Sequence, residues 1–329
     1  MYKSKGDRDK HMQSVKDYFL RYKIATKSEL SQETNLSLAT ITNILKELQE
    51  ISFIQRIEDL ESTGGRKAKC YTISGQYMLF GLISLQVIKQ NIRMSIRIVD
   101  LNDKVINNED IFYQSLLVKD LILIIQQLKD KYSLLFMSLA IPAVVDKGNV
   151  TQSDIDGLEN CDLKKSIEDE IDICIHIEND VNTALLGYIA MENITQDPIA
   201  FIYQPDNHYS GCALYVHQHL VYGKSHFAGE LGYLPLASLE EQERMSEDES
   251  LNLLVKQTAS VISIMNPVYM VISVQNINPV IFQNQIDQLI PKEHQPIFKF
   301  VDHMDDYIMN GLIQQCIENT RYRKEETQK

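Results

Sequence analysis

The chain has 329 residues, 44% of them hydrophobic, which is more than a typical single domain holds and enough to give each of two or three compact units a core. No apolar run approaches the roughly 20 residues needed to cross a bilayer, and Met1-Tyr2-Lys3-Ser4-Lys5-Gly6-Asp7-Arg8 lacks a signal-peptide apolar region, so a cytoplasmic protein with no membrane partner is expected. The net charge of −13, taken whole, argues against a nucleic-acid-binding chain.

Counted by segment, the charge changes sign. Residues 1–75 hold 13 Lys and Arg against 10 Asp and Glu, a net +3, and the remainder carries −16. A weakly basic head on an acidic body suits a small DNA-contacting module carried by a larger sensing domain, because only the contacting face must attract phosphate. From Asp9 to Tyr22 the apolar residues Met12, Val15, Phe19 and Tyr22 recur at helical spacing. Thr26-Lys27-Ser28-Glu29 has the form of a capping box, which starts a second helix near Lys27. After Asn35-Leu36-Ser37, with Ser37 as N-cap, Ile41, Ile44, Leu45 and Leu48 share one face of a third helix. Two helices joined by a tight turn make a helix-turn-helix. The opposite face of the third helix carries Ser37, Ala39, Thr40, Thr42, Asn43 and Lys46. These small, hydrogen-bonding side chains can enter a major groove; an ordinary solvated face would carry more Glu and Lys.

Ile51, Phe53, Ile54 and Ile57 predict a strand and Cys70-Tyr71-Thr72-Ile73 a returning one, which together make a wing. At its tip, Gly64 and Gly65 let the backbone approach phosphate while Arg66 reaches into a minor groove beside Lys67. The body starts with an alternating hairpin over residues 77–100. Leu163, Ile167 and Ile171 mark an amphipathic helix, Leu251 to Ile264 a buried helix and Val268–Val274 a strand. Glu240 to Arg244 is a charge run on a solvated loop or helix face, and Arg321–Lys329 is polar and expected to fray.

Two stretches carry candidate chemistry. Ile175-His176-Ile177-Glu178-Asn179-Asp180-Val181-Asn182 is a strand that feeds a helix, leaving Asn179 and Asp180 at the strand's carboxyl end, where open α/β sheets bind ligands. An ionised Asp180 accepts hydrogen bonds from sugar hydroxyls and the Asn179 amide both donates and accepts; equally, the pair can be a helix cap. Fifty residues on, Phe227-Ala228-Gly229-Glu230-Leu231-Gly232-Tyr233 holds a second carboxylate between two glycines. In their order and separation these motifs resemble the sugar-site motifs of the ROK family of repressors, sugar kinases and uncharacterised relatives.

The resemblance implies an α/β fold: an N-terminal winged helix-turn-helix over residues 1–76, then a two-lobed actin-like (ribonuclease H-like) ATPase fold over 77–329, with lobes of roughly 77–182 and 183–329. It implies a sugar in the cleft, held by the residues matching Asn179, Asp180 and Glu230; the residue matching Asp180 is the catalytic base in family kinases. Ser62-Thr63-Gly64-Gly65-Arg66 also looks like the wing of ROK repressors. Leu139-Ala140-Ile141-Pro142-Ala143-Val144 resembles the family's Pro-Gly-x-Val loop, and Ser153 to Gly157 matches a loop that lies over the sugar in relatives.

This sequence departs from the kinases at three places. Residues 82–99 hold no Asp, Glu or Gly where a kinase carries Asp-x-Gly-x-Thr, one glycine remains in Tyr203–Gly211, and none lies between Gly232 and Gly311. The phosphate and magnesium chemistry of kinases needs those groups, so no kinase activity and no cofactor are expected. The family's zinc cluster follows a Gly-His pair; here Gly232 precedes Tyr233 and no cysteine follows until Cys316, so no metal is expected. Tyr233 then offers a phenolic hydroxyl to the sugar in place of the histidine. The five cysteines form no Cys-x-x-Cys pair, and His217-x-His219 falls in a hairpin turn. The expected function is a sugar-responsive regulator, most often a repressor, that binds a double-stranded DNA operator and a sugar or sugar-phosphate effector as a homodimer or tetramer. The alternatives are an active sugar kinase with a DNA-binding head, and a regulator whose body only docks a protein partner.

Overall fold

The computed structural model describes residues 5–57, 69–205, 209–242, 244–275 and 277–326. The head starts with α1 (Lys5–Tyr22), β1 (Ile24–Thr26), α2 (Lys27–Thr34) and α3 (Leu38–Glu50). Thr26 and Glu29 form the expected capping box, Asn35 ends α2 in the left-handed region, and the Ser37 hydroxyl accepts from the Thr40 amide at 3.1 Å. Ile41, Ile44, Leu45 and Leu48 are all buried, in one core with Val15, Phe19 and Leu30. β2 (Ile54–Ile57) and β3 (Cys70–Ile73) complete a three-stranded antiparallel sheet in the order β1-β3-β2. The strand expected from Ile51 begins later, because the Ile51 amide closes α3 on the Glu47 carbonyl and its side chain stays exposed. The wing-tip residues Gly64, Gly65, Arg66 and Lys67 lie outside the described residues.

The first lobe is built on β4 (Leu79–Ile88), β5 (Asn91–Asp100), β6 (Val105–Tyr113), α4 (Val118–Tyr132) and β7 (Phe136–Ile141). A side sheet of β8 (Ala143–Asp146), β9 (Asn149–Ser153) and β10 (Cys161–Asp162) follows, then α5 (Leu163–Glu168) and β11 (Cys174–Asn179). Its main sheet has the order β11-β7-β4-β5-β6, parallel across β11, β7 and β4 and antiparallel from β4 to β6. α5 ends at Glu168, short of the expected Ile171, which is still buried beyond the helix.

The second lobe comprises α6 (Asp180–Met191), β12 (Ile199–Gln204), β13 (Gly211–Val216), β14 (His219–Leu220), α7 (Leu239–Gln242) and α8 (Glu247–Met265). β15 (Tyr269–Val274), α9 (Pro279–Leu289), β16 (Ile297–Val301) and α10 (Asp305–Glu326) end the chain's described part. The sheet order is β14-β13-β12-β15-β16. Alternation along each strand decides the layering. Phe80, Leu82, Phe201 and Val271 share a core with α6 and α10, whereas Ile202, Met270 and Ile272 pack with α8 and α9. α6 and α10 therefore lie between the two sheets, at backbone contact: a Cβ on Gly187 would sit 1.8 Å from the Tyr307 carbonyl oxygen.

Three expectations change here. The second lobe does not simply run from 183 to the end, because α10 returns to pack on β4, β7 and β11 of the first sheet. The helix α10 runs through Glu326, where fraying from Arg321 is expected from the sequence. Ile264, placed in a buried helix face, is 84% exposed near the C-terminal end of α8. The head joins the first lobe through a continuous apolar core and through Lys23, whose ammonium donates to the Leu101 carbonyl at 2.8 Å and to Asp103 at 2.9 Å.

Candidate functional site

The β11-to-α6 junction falls inside the octapeptide singled out above. Asn179 ends the strand and caps the helix: its Oδ1 accepts from the Asn182 amide at 3.0 Å and its Nδ2 donates to the Ala143 carbonyl at 3.1 Å. The capping alternative is thus realised for Asn179, which also lines the cleft. Asp180, the first helical residue, is only 4% exposed and its Oδ1 accepts from the Val181 amide at 2.9 Å. Glu178 alternates to the other side of the strand and is a hub, accepting from the Asn179 amide (2.8 Å), Asn182 Nδ2 (3.1 Å) and the Tyr222 hydroxyl (2.8 Å).

Glu230 is placed by its glycines. Gly229 adopts φ +99°, and a Cβ there would lie 1.8 Å from the Cys212 carbonyl oxygen, so only glycine lets this loop press onto β13. The Cys212 amide then donates to the Gly229 carbonyl at 2.8 Å, and Glu230 forms a β-bridge with Gly211. A cavity of about 100 Å³ brings together Asn179, Asp180, Glu230 and Tyr233, all four of the predicted sugar-site residues, with Asp154 and Gln152 from the first lobe. Tyr233 stands at the rim, half exposed; Gln152 donates to its hydroxyl at 2.7 Å and its ring meets Phe227 edge-on.

Electrostatically the cleft is a carboxylate cluster. Burial, then the charge of Asp154 and to a smaller extent that of Glu230, pushes the Asp180 carboxyl up to about 8 against the pull of helix-start amides. Burial and then Asp154 raise Glu230 to about 7. Burial raises Glu178 as well, with its three hydrogen bonds opposing. Such a site can accept several hydroxyl donors at once, and a carboxyl poised near neutrality has the pKa of a general base. Glu178 and Tyr222 escaped the sequence reading because their pairing spans 44 residues; Asp154 lay in the loop expected over the sugar.

Elsewhere the predicted residues are less gathered. On α3, Ser37, Ala39, Thr42, Asn43 and Lys46 are exposed and Thr40 is half-buried. The Ser37 and Thr40 hydroxyls are engaged with each other at 2.9 Å, and Lys27 donates to the Thr42 hydroxyl at 3.1 Å. β4 and β5 are joined by the two-residue turn Lys89-Gln90, with pairing kept up to Ile88 and Asn91. Among the described residues no group of three or more His, Cys, Asp or Glu could hold a metal ion. His217 and Gln218 form the tight turn between β13 and β14, both with positive φ.

A two-lobed α/β body with a carboxylate-lined cleft at the strand ends defines the class of protein. The chain belongs to the ROK family, whose sequence model matches residues 92–273, over half of its length. It is 24% identical over 222 residues to the xylose repressor of Bacillus subtilis (strain 168), covering 64% of this chain and 56% of that protein. The chain thus spans little more than half the length of the curated relatives it matches. In structure it resembles a ROK family transcriptional regulator, a homologue of the E. coli Mlc protein, with a TM-score of 0.69 and 16% identity over 95% of this chain and 98% of that one. A ROK family glucokinase from Streptomyces griseus, solved with glucose and AMPPNP, aligns with a TM-score of 0.54 and 13% identity over 72% of this chain and 99% of that one. At these identities the structural likenesses establish the fold alone. No helix among the described residues is long and apolar enough to cross a membrane.

Proposed function

We propose that the chain is a sugar-responsive, DNA-binding repressor of carbohydrate-metabolism genes, cytoplasmic and homodimeric, without kinase activity. The observation that carries the reading is the exposed face of α3, where Ala39, Thr42, Asn43 and Lys46 point outward from a helix-turn-helix closed by two N-caps. An α-helix with small polar side chains fits the major groove. Gly64, Gly65, Arg66 and Lys67, which lie outside the described residues, are read from the sequence as the wing's contacts to DNA. In the cleft, Asn179, Asp180, Glu230 and Tyr233 hold sugar hydroxyls, and likeness to a xylose repressor supports that division of labour. The test is to capture fragments of the source genome on the full-length chain, sequence them, and add monosaccharides. Enrichment of a discrete operator whose retention changes with a sugar is expected; random fragments alone would sink the reading.

A kinase reading draws on one observation, the buried Asp180 with its carboxyl raised to about 8, placed as a base should be. A base typically supplies about 10²- to 10⁴-fold, whereas phosphoryl transfer depends chiefly on positioning and charge stabilisation at the phosphates. The tight Lys89-Gln90 turn speaks against such a phosphate site. Sugar-dependent ADP release by the wild type would overturn this part of the proposal.

A further inference from the structure

The turn that carries Glu230 and Tyr233 is gripped from behind. Glu230 precedes a single 3-10 turn, Leu231–Tyr233, in which the Tyr233 amide donates to the Glu230 carbonyl at 3.2 Å. Upstream, Glu230 is fixed to β13 by its bridge to Gly211 and by the bond from the Cys212 amide to the Gly229 carbonyl. Downstream, two glutamine amides reach in from the helices that follow. Gln257, in the middle of α8 and wholly buried, donates through Nε2 to the Leu231 carbonyl at 3.1 Å. Gln242, which ends α7, donates to the Gly232 carbonyl at 2.8 Å and to the Ala237 carbonyl at 3.0 Å. Neither glutamine is among the cleft's described lining residues.

For stability alone, Gln257 is an unfavourable choice. The buried face of α8 around it is apolar, with Leu253, Leu254, Val255, Val261 and Ile262, and its Oε1 is buried with no partner among the described residues. The amide cannot be turned the other way round to relieve this, because a carbonyl only accepts and Nε2 must therefore face Leu231. An apolar side chain of equal length would avoid the penalty of the orphaned oxygen. Nor does the Leu231 carbonyl need Gln257 to be satisfied, since it also accepts from the Leu234 amide at 3.1 Å. What the bond adds is direction: it fixes the peptide between Leu231 and Gly232, and with it the angles at which Glu230 and Tyr233 leave the turn.

We propose that Gln257 is a positioning residue of the cleft, which sets Glu230 and Tyr233 for the ligand through the Leu231 carbonyl while contributing nothing to the stability of the fold. The inference rests on the reading of this cleft as the effector site. A ligand with several hydroxyls is bound well only when its partners are held within about 0.5 Å of the right geometry, and it is buried bonds behind the contacting residues that hold them there. A turn released from α8 keeps its own hydrogen bonds and its anchorage on β13, so it loses aim without unfolding.

The experiment compares the full-length wild type with Gln257→Met, which keeps the length and unbranched shape of the side chain and removes the donor. Each is titrated calorimetrically with xylose, arabinose, glucose, galactose, mannose and N-acetylglucosamine, and melted without ligand. The variant should bind the wild type's sugar about fivefold or more weakly, with a melting temperature equal to or above that of the wild type. Thr258→Val is the control: Thr258 is also wholly buried on α8, its hydroxyl has no partner among the described residues, and no bond from it reaches the turn. It should melt no lower and bind sugar as the wild type does. Equal affinity in Gln257→Met overturns the inference and leaves the effector site standing. A fall in affinity and melting temperature together makes Gln257 a structural residue, and a matching loss in Thr258→Val assigns the effect to α8 as a whole; either also overturns the inference. Binding of no sugar by the wild type overturns the effector-site reading and the inference with it.

Discussion

Asp180→Asn should make the ligand-free protein more stable at pH 8 while removing its response to sugar. The carboxyl is 4% exposed and its folded-state pKa lies near 8, against an ordinary 3.8. A group raised in this way contributes its full stability below about pH 4 and loses it as pH rises to about 8, because the native state must hold a proton that the unfolded chain releases. Each pH unit in that window costs up to about 1.4 kcal/mol, so between pH 6 and 8 the wild type should lose on the order of 1–3 kcal/mol to this site. Glu230, raised to about 7, adds in the same direction. The amide of Asn has the same shape, can accept from Val181, and carries no proton to lose. Melting curves of the two proteins at pH 5, 6, 7 and 8 should therefore diverge, the variant ahead by several degrees at pH 8 at about 2–4 °C per kcal/mol. Operator binding without sugar should be retained, since α3 is remote in the chain from the cleft. Parallel melting curves would refute the electrostatic account, and a full sugar response in the variant would show that the effector binds elsewhere.

Gly229→Ala should cost more than about 1–3 kcal/mol and abolish ligand binding, because its Cβ would collide with the Cys212 carbonyl at 1.8 Å in a left-handed backbone; denaturant unfolding measures the loss. Tyr222→Phe should destabilise by about 1.5–3 kcal/mol, since it strips one donor from the buried Glu178. A loss below half a kcal/mol would mean that Asn182 and the Asn179 amide suffice. Arg66→Ala should weaken operator binding by about 1–3 kcal/mol in a titration at physiological salt, and unchanged affinity would remove the wing from DNA recognition.

Local chemistry was readable where one residue answers a near neighbour. The Thr26/Glu29 box and the Ser37 cap could be read from spacing because each closes within three residues. Glu230 between its glycines could be picked out as a motif, but the reason for Gly229 could not: it is the approach to Cys212, which is set by tertiary packing. Ile264 shows the limit of periodicity, since an apolar residue at helical spacing is buried only if a neighbour covers it. The return of α10 onto the first sheet was likewise hidden, because its contacts with α6 and β7 link residues more than a hundred positions apart. The wing tip, read from Gly64 to Lys67, stands on the sequence alone.

The segment from Val221 to Glu230 makes these pieces act together. It belongs to the second lobe, yet Tyr222 donates to Glu178 and His226 pairs with Asp146, both in the first. Glu230 lines the same cavity as Asp180 and raises its cost of ionising, and Asp154 raises that of both. The Tyr222 and His226 contacts add to the packing of α10 on the first sheet, the Arg93–Asp305 ion pair and the Gln152–Tyr233 hydrogen bond, while Asp154 of the first lobe opposes Asp180 and Glu230 of the second. In the proposed function, a sugar whose hydroxyls bridge Asp154 of the first lobe to Asp180 or Glu230 of the second would turn that repulsion into a further tie, and it would shift the lobes only by the free energy with which it binds the closed arrangement better than the open one. The head rides on the first lobe through Lys23 and the shared apolar core. Relative to the head, the element that closure moves is the second lobe. In the proposed homodimer, such a displacement would change the separation of the two α3 helices, which must match two half-sites one helical turn or a multiple apart. A sugar acting at the cleft can in this way set operator affinity without touching DNA.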